Sequence, residues 1–199
     1  MIHFYIFRHG ETDWNRQRRF QGHTDIPLNE SGHLQALDLA SRLANIPLEL
    51  ILSSDLTRAL QTAGAVNQMR NLPLHQTPSL RECMVGEVEG LKLDEVGVKY
   101  GQNAIDRWLS NHPDDHDFRF ENGETKHEHR SRLLNFLREF SLANRSLKHV
   151  GISTLGGSMR RIIEQCEDRP AFPMTIQNCA AYKLIYHVDH DIWKFDSEI

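Results

Sequence analysis

Apolar positions along the chain fall into short runs separated by longer stretches in which they recur every third or fourth residue. The run from Ile2 to Phe7 reads as a buried strand, and Leu50-Ile51-Leu52, Leu74 to Thr77 and His149 to Ser153 read the same way. Between them lie helical periods. Asn29 or Ser31 caps a helix whose Leu34, Leu37, Ala40 and Ala44 share a face and which ends before Pro47. A second helix carries Leu56, Leu60, Ala63 and Val66, and a longer one carries Leu133, Phe136, Leu137 and Phe140. Asp191 to Phe195 alternates like an edge strand. Strand and helix alternation of this kind predicts an α/β fold: a mainly parallel central sheet flanked by helices on both faces.

Residues 91–123 break the period. Helical pieces over 91–100 and 104–109 lead into Asn111-His112-Pro113-Asp114-Asp115-His116-Asp117, a polar acidic loop. It reads as a small helical and loop cap over a pocket, with a solvated surface excursion as the alternative. The acidity of this segment argues against a large polyanion as ligand.

Composition narrows the picture modestly. At 199 residues and 39% hydrophobic content, without repeats, the chain is expected to form one domain over 1–199. A net charge of −4 argues against a nucleic-acid surface, so any affinity for phosphate must be local. With no apolar stretch of membrane-spanning length and no signal-like start, a cytoplasmic protein without a membrane partner is expected. Cys83, Cys166 and Cys179 are widely spaced and odd in number, which fits reduced thiols packed inside. The twelve histidines show no ligand spacing, so neither a metal nor another cofactor is expected.

The chemistry concentrates where the first strand stops. Arg8-His9-Gly10 places a planar fork of donors, an imidazole and a flexible residue at a strand's carboxyl end, where open α/β sheets put their ligands. Arg58, in the first turn of the helix after Leu50-Ile51-Leu52, is placed to reach the same edge. The loop from Phe20 to Asn29 should fold back over it. A general acid would need a carboxyl held near the leaving oxygen, and Glu82, Glu87 and Glu89 all compete for that role on chemistry alone. Backbone donors at the turn Gly156-Gly157, opening a helix, again suit an anion.

The string Arg8-His9-Gly10-Glu11-Thr12-x-x-Asn15 resembles the signature of the histidine phosphatase superfamily, also called phosphoglycerate mutase-like. Ser53-Ser54-x-Leu56-x-Arg58-Ala59-x-Gln61-Thr62 is similar to its second phosphate-binding element, and Gly123-Glu124-Thr125 and the Asn178 turn before Tyr186 resemble later ones. The resemblance implies a phosphohistidine on His9, a phosphate clamp of Arg8 and Arg58, and Glu82 as proton donor. It adds Asn15, the Gln21-Gly22 backbone and the Gly156 amide as the rest of the cradle. Glu82-Cys83-Met84-Val85 is more similar to the phosphatase branch than to the mutases. The implied partner is a small phosphorylated metabolite, and a homodimer is left open.

One position departs from the pattern. Where the family carries a second histidine before the glycine pair, this chain has Leu155, which donates no hydrogen bond. Either a lineage has lost the residue or the change is recent or engineered. Retention of Arg8, His9, Asn15, Arg58 and Glu82 favours the second. The expected function is a phosphomonoester hydrolase impaired by Leu155. Alternatives are a non-catalytic phospholigand-binding protein and, behind it, a cofactor-dependent phosphoglycerate mutase.

Overall fold

The protein is described by a computed structural model over residues 1–110, 112–170 and 176–199. Six strands form one sheet in the order β3-β2-β4-β1-β5-β6. They are β1 (Ile2–Arg8), β2 (Leu50–Ser54), β3 (Leu74–Thr77), β4 (His149–Thr154), β5 (Ala181–His187) and β6 (Ile192–Glu198). The pairings β3-β2, β2-β4 and β4-β1 are parallel, whereas β1-β5 and β5-β6 are antiparallel. The expected mainly parallel sheet is therefore present, with an antiparallel margin where β6 takes the edge. A single helical turn, α1 (Asp13–Arg16), follows β1.

Strand alternation divides the core. Tyr5 and Phe7 of β1 face α2 (Glu30–Leu43) and α3 (Thr57–Asn67), packing with Leu39, Leu43, Ala63 and Val66. Ile2, Phe4 and Ile6 face the other way, against α6 (Lys126–Ala143) and α7 (Gly156–Ile163), through Leu133, Leu137, Met159 and Ile162. All three cysteines are buried and unpaired, as packing residues should be.

The buried face of α2 differs from the expected one. Asn29 caps the helix by accepting from the Gly32 amide, but Leu34 and Leu37 are 65% and 50% exposed. The buried positions are Gly32, Ala36, Leu39 and Leu43. Close approach decides this, because a Cβ on Gly32 would stand 2.1 Å from the Glu11 carbonyl oxygen. The glycine side of the helix is the side that can meet the first strand's end.

Segment 91–123 holds α4 (Leu93–Tyr100) and α5 (Gln102–Leu109), much as the periodicity predicts. Its interior is not polar. Val96, Ile105 and Phe120 form a small cluster with Val85 and Val88, joined by Phe20, Trp108 and Phe118. Asn111 of the acidic loop lies outside the described residues. Asp115 accepts from Arg107 at 3.2 Å. No described helix is long and apolar enough to cross a membrane.

Candidate active site

The carboxyl ends of β1, β2 and β4 open on one cavity of about 410 Å³. Arg8, His9, Asn15, Gln21, Gly22, Arg58, Glu82, Leu155 and Gly156 all line it, so every expected site residue reaches one place.

His9 follows the last residue of β1 and is 3% exposed. Its Nδ1 lies 2.7 Å from the Gly10 carbonyl oxygen, which can only accept, so Nδ1 carries the proton and Nε2 keeps its lone pair. Burial, then Arg8 and Arg58, push the imidazole well below its ordinary pKa. A neutral ring with one free nitrogen results. Its backbone is pinned as well, because the His9 carbonyl accepts from Asn178 Nδ2 at 3.0 Å and the Cys179 amide at 3.3 Å.

Among the described residues, the two arginines are fixed by carbonyl oxygens and not by carboxylates. Arg58, 1% exposed, donates from Nη1 to Thr24 O and from Nη2 to Gly22 O, both at 2.9 Å. The 20–29 loop thus folds back over the strand ends as expected. It is held there by Asp25, which accepts from the Thr57 amide and hydroxyl at the start of α3. Arg8 donates from Nη1 to Ile176 O at 2.7 Å. The Nε atoms of both arginines are buried without a hydrogen-bond partner among the described residues. Such orphan donors cost stability unless something accepts from them, and an anion in the cavity is a fitting acceptor. Burial lowers the pKa of both, that of Arg58 to about 10, which leaves Arg58 cationic near neutrality.

Partners separate the three competing glutamates. Glu87 is exposed and pairs with Lys99. Glu89 accepts from the His23 and Thr24 amides and so supports the loop. Glu82 alone lines the cavity, its carboxylate accepting from the Cys83 amide at 2.9 Å and the Gly157 amide at 2.8 Å. Gly157 must be glycine for this contact, since a Cβ there would stand 2.2 Å from Glu82 Oε1. Arg132 braces the same segment from below. It donates to Glu82 O at 3.1 Å while forking onto Glu124 at 2.8 Å through both Nε and Nη2.

Asn15 Oδ1 accepts from the Thr12 amide and from Asn178 Nδ2, which ties α1 to the turn before β5. Gly22 sits at φ +51°, a conformation that favours glycine, and its carbonyl meets Arg58. Gly156 lies against Arg8, where a Cβ would stand 3.2 Å from Arg8 Nε. Leu155, 1% exposed, occupies the N-cap of α7 with no side-chain cap bond.

Residues 4–196 match the family model for the histidine phosphatase superfamily (branch 1). The chain belongs to this superfamily. It is 39% identical over 98 residues to "Uncharacterized phosphatase PhoE" of Bacillus subtilis (strain 168), covering 49% of this chain and 51% of that one. It is 42% identical over 96 residues to "Probable phosphoglycerate mutase GpmB" of Yersinia pestis (strain Pestoides F), covering 48% and 45%. These alignments span about half the length of the curated relatives. Among solved structures, Bacillus stearothermophilus YhfR superposes with a TM-score of 0.85 at 28% identity, covering 98% of this chain and 95% of that one. An alpha-ribazole phosphatase from Shigella flexneri gives 0.81 at 23%, covering 99% and 96%, a likeness of fold alone.

Within this histidine phosphatase fold, several cavity residues carry no signal in the sequence. His129, on α6, is buried with Nε2 2.9 Å from Ser158 Oγ and 3.9 Å from Glu82 Oε1. Because Ser158 Oγ donates to Arg81 O at 2.8 Å, His129 Nε2 is the donor to Ser158. Burial, then Arg132 and Arg161, lower its pKa well below the usual histidine range. Trp108, Ser110, Lys126, Arg160 and Arg161 also line the cavity. Among the described residues, the acidic side chains of segment 91–123 do not line it.

Proposed function

We propose that the chain is a phosphomonoester hydrolase that works through a phosphohistidine on His9 and is impaired by Leu155. One observation carries this reading. The free Nε2 of a neutral, buried imidazole shares a cavity with two arginines whose Nε donors have no partner among the described residues. Nε2 attacks phosphorus, the bond from phosphorus to the leaving oxygen breaks, and protonated Glu82 gives its proton to that oxygen. Water then attacks phosphorus, Glu82 takes the water's proton, and the bond from phosphorus to Nε2 breaks, which returns the neutral ring. Arg8 and Arg58 offset charge on the equatorial oxygens, with Asn15, Gln21, Gly22 and Gly156 completing the cradle. The substrate is a small phosphorylated metabolite. The chain acts as one domain in which 91–123 caps the cavity.

Leu155 withholds a donor from the transferring group. Loss of one transition-state donor costs roughly 10²–10³ in rate, and Leu155→His is expected to return that factor. The test is hydrolysis of an aryl phosphate by three proteins: the chain itself, Leu155→His, and Leu155→His with His9→Ala. Activity that rises with histidine at 155 and vanishes without His9 supports the reading. Silence of the Leu155→His protein overturns it. The same leucine favours a second reading, a non-catalytic phospholigand-binding protein, which predicts binding of phosphate by all three proteins and turnover by none.

A further inference from the structure

Helix α6 buries one stripe: Lys126, His129, Leu133, Leu137 and Ser141. Leu133 and Leu137 belong to the core, and a leucine at 129 would extend their run. An imidazole that is 2% exposed instead costs free energy unless its ring atoms are used. His129 lines the cavity, yet the phosphohistidine chemistry above gives it no part. Its Nε2 donates to Ser158 Oγ at 2.9 Å, and Ser158 Oγ donates in turn to Arg81 O at 2.8 Å. Arg81 precedes Glu82, and Ser158 follows Gly157, whose amide holds the Glu82 carboxylate at 2.8 Å. One short chain therefore ties α6 both to the backbone entering Glu82 and to the helix start that carries its amide donor. The ring has a further reach, because Glu82 Oε1 lies 3.9 Å from Nε2, about 1 Å beyond a hydrogen bond.

Among the described residues, the charges around this pair are mostly positive. Arg8, Arg58 and Arg161 act on the Glu82 carboxylate, while Arg132, Arg161 and His23 act on the imidazole. Burial pushes the Cys83 thiol up, and Glu124 is bound by Arg132. A further cation at 129 would hold the carboxylate ionised, whereas a neutral N–H supports it and still lets it regain a proton. We propose that His129, acting with Ser158, is a positioning residue for the proton donor: it keeps Glu82 aimed at the leaving oxygen, and its Nε2–H turns from Ser158 to Oε1 once Glu82 has given up its proton. No proton leaves the ring in this step. The inference rests on the role proposed above for Glu82.

Kinetics in the Leu155→His protein test it with two substrates. The leaving oxygen of phenyl phosphate needs a proton, and that of 2,4-dinitrophenyl phosphate does not. The comparison uses kcat/KM, which reports phosphoryl transfer to His9 before water enters. His129→Leu should lower kcat/KM for phenyl phosphate about tenfold, the worth of one hydrogen bond to a charged group, and leave the dinitrophenyl ester within about twofold. Loss of a donor that favours the carboxylate makes the acid hold its proton longer, so the alkaline limb of kcat/KM should move up by about one pH unit. His129→Gln, which keeps an N–H, should return the rate to within about threefold and the limb to within about 0.3 pH units. Ser158→Ala removes the middle of the chain with a good helix former and carries the test should the leucine variant not fold. It should cost about threefold on phenyl phosphate and leave the dinitrophenyl ester unchanged. Equal losses on both substrates, or a glutamine variant no better than leucine, overturn the positioning role and leave the phosphohistidine reading intact. Silence of the Leu155→His protein toward both substrates overturns that reading and the role with it.

Discussion

Arg58 and Lys126 are both buried cations on one cavity, each donating to two backbone carbonyls, and they stand on differently built walls. Arg58 rises from the first turn after β2, among strand ends whose neighbours are fixed by sheet hydrogen bonds. Its carbonyl partners, Gly22 and Thr24, belong to a loop that Asp25 and Glu89 hold in place. Lys126 braces the end of an eight-residue helix that packs through one small aromatic cluster. The guanidinium keeps an orphan Nε in a rigid fork, whereas the ammonium keeps one donor on a flexible stem. Under the proposed function, the contrast separates a task common to every phosphomonoester from a task set by the rest of the molecule. The first is assigned to the sheet edge and the second to an appended wall.

Replacing each cation breaks this comparison most directly. In the Leu155→His background, Arg58→Met should lower kcat/KM about 10³-fold for every phosphomonoester, whatever its leaving group. Arg58→Lys should recover only part of that, since charge returns without the fork. Lys126→Met should instead change the ranking of substrates. If Arg58→Met proved selective among leaving groups, the division of labour between the walls would be wrong.

The two walls also differ in how far the sequence discloses them. Arg8, His9 and Arg58 lie within a few residues of apolar runs that announce strands, so strand-end geometry and local motif suffice to bring them together. Choosing Glu82 over Glu87 and Glu89 needs the family resemblance, and the partners now distinguish all three. The buried side of α2 is misread from the sequence because leucines at helical spacing suggest a core face. It is Gly32, by allowing the helix within reach of Glu11, that selects the Ala36-Leu39-Leu43 side. Lys126 and His129 share one face of α6, but Trp108 and Arg161 come from distant parts of the chain, and no local pattern links these three places. Only packing brings them to one cavity.

A difference in what lies beneath the walls gives the next prediction. Cys179 sits behind His9, donating its amide to the His9 carbonyl, and burial raises its thiol from 9.0 to about 12. Below pH 9 the thiol is protonated in folded and unfolded chains alike and contributes no slope. Between pH 9 and 12 the unfolded chain loses the proton that the folded one keeps, so stability falls as pH rises. The total is about 4 kcal/mol over that window, of which about 3 kcal/mol is reached by pH 11. Urea denaturation of the unaltered protein and Cys179→Ala at pH 8, 9.5 and 11 should show the stability difference between them shifting by about the latter amount in favour of the variant. Parallel curves would mean that the sheet wall is less sealed than its burial indicates.

Gly157 joins the walls, since its amide holds Glu82 while Arg160 and Arg161, one turn further along α7, also line the cavity. Gly157→Ala drives a methyl group into the carboxylate, which must turn away. A loss of roughly 10–10² in kcat is expected, for poor and good leaving groups unequally, because a displaced acid matters least where the leaving oxygen needs no proton. Aryl phosphates with strongly acidic phenols should be spared. An equal loss across a leaving-group series would show that Glu82 acts on something other than the departing oxygen.

Trp108→Ala probes the appended wall alone and should have the smallest effect. The indole packs 5.4 Å from Phe120 and 6.3 Å from Phe20 between ring centroids, so truncation loosens the cluster while leaving the sheet edge untouched. If the appended wall takes no part in the chemistry, any contact Trp108 makes with substrate is equal in the ground state and the transition state. Losing such uniform binding raises KM without changing kcat. About a fivefold rise in KM is expected in the Leu155→His protein, as one lost apolar contact and a wetter Lys126 would give. A fall in kcat of about tenfold or more at constant KM would instead place the appended wall in the transition state, and the two walls would then share the chemistry that the geometry assigns to one.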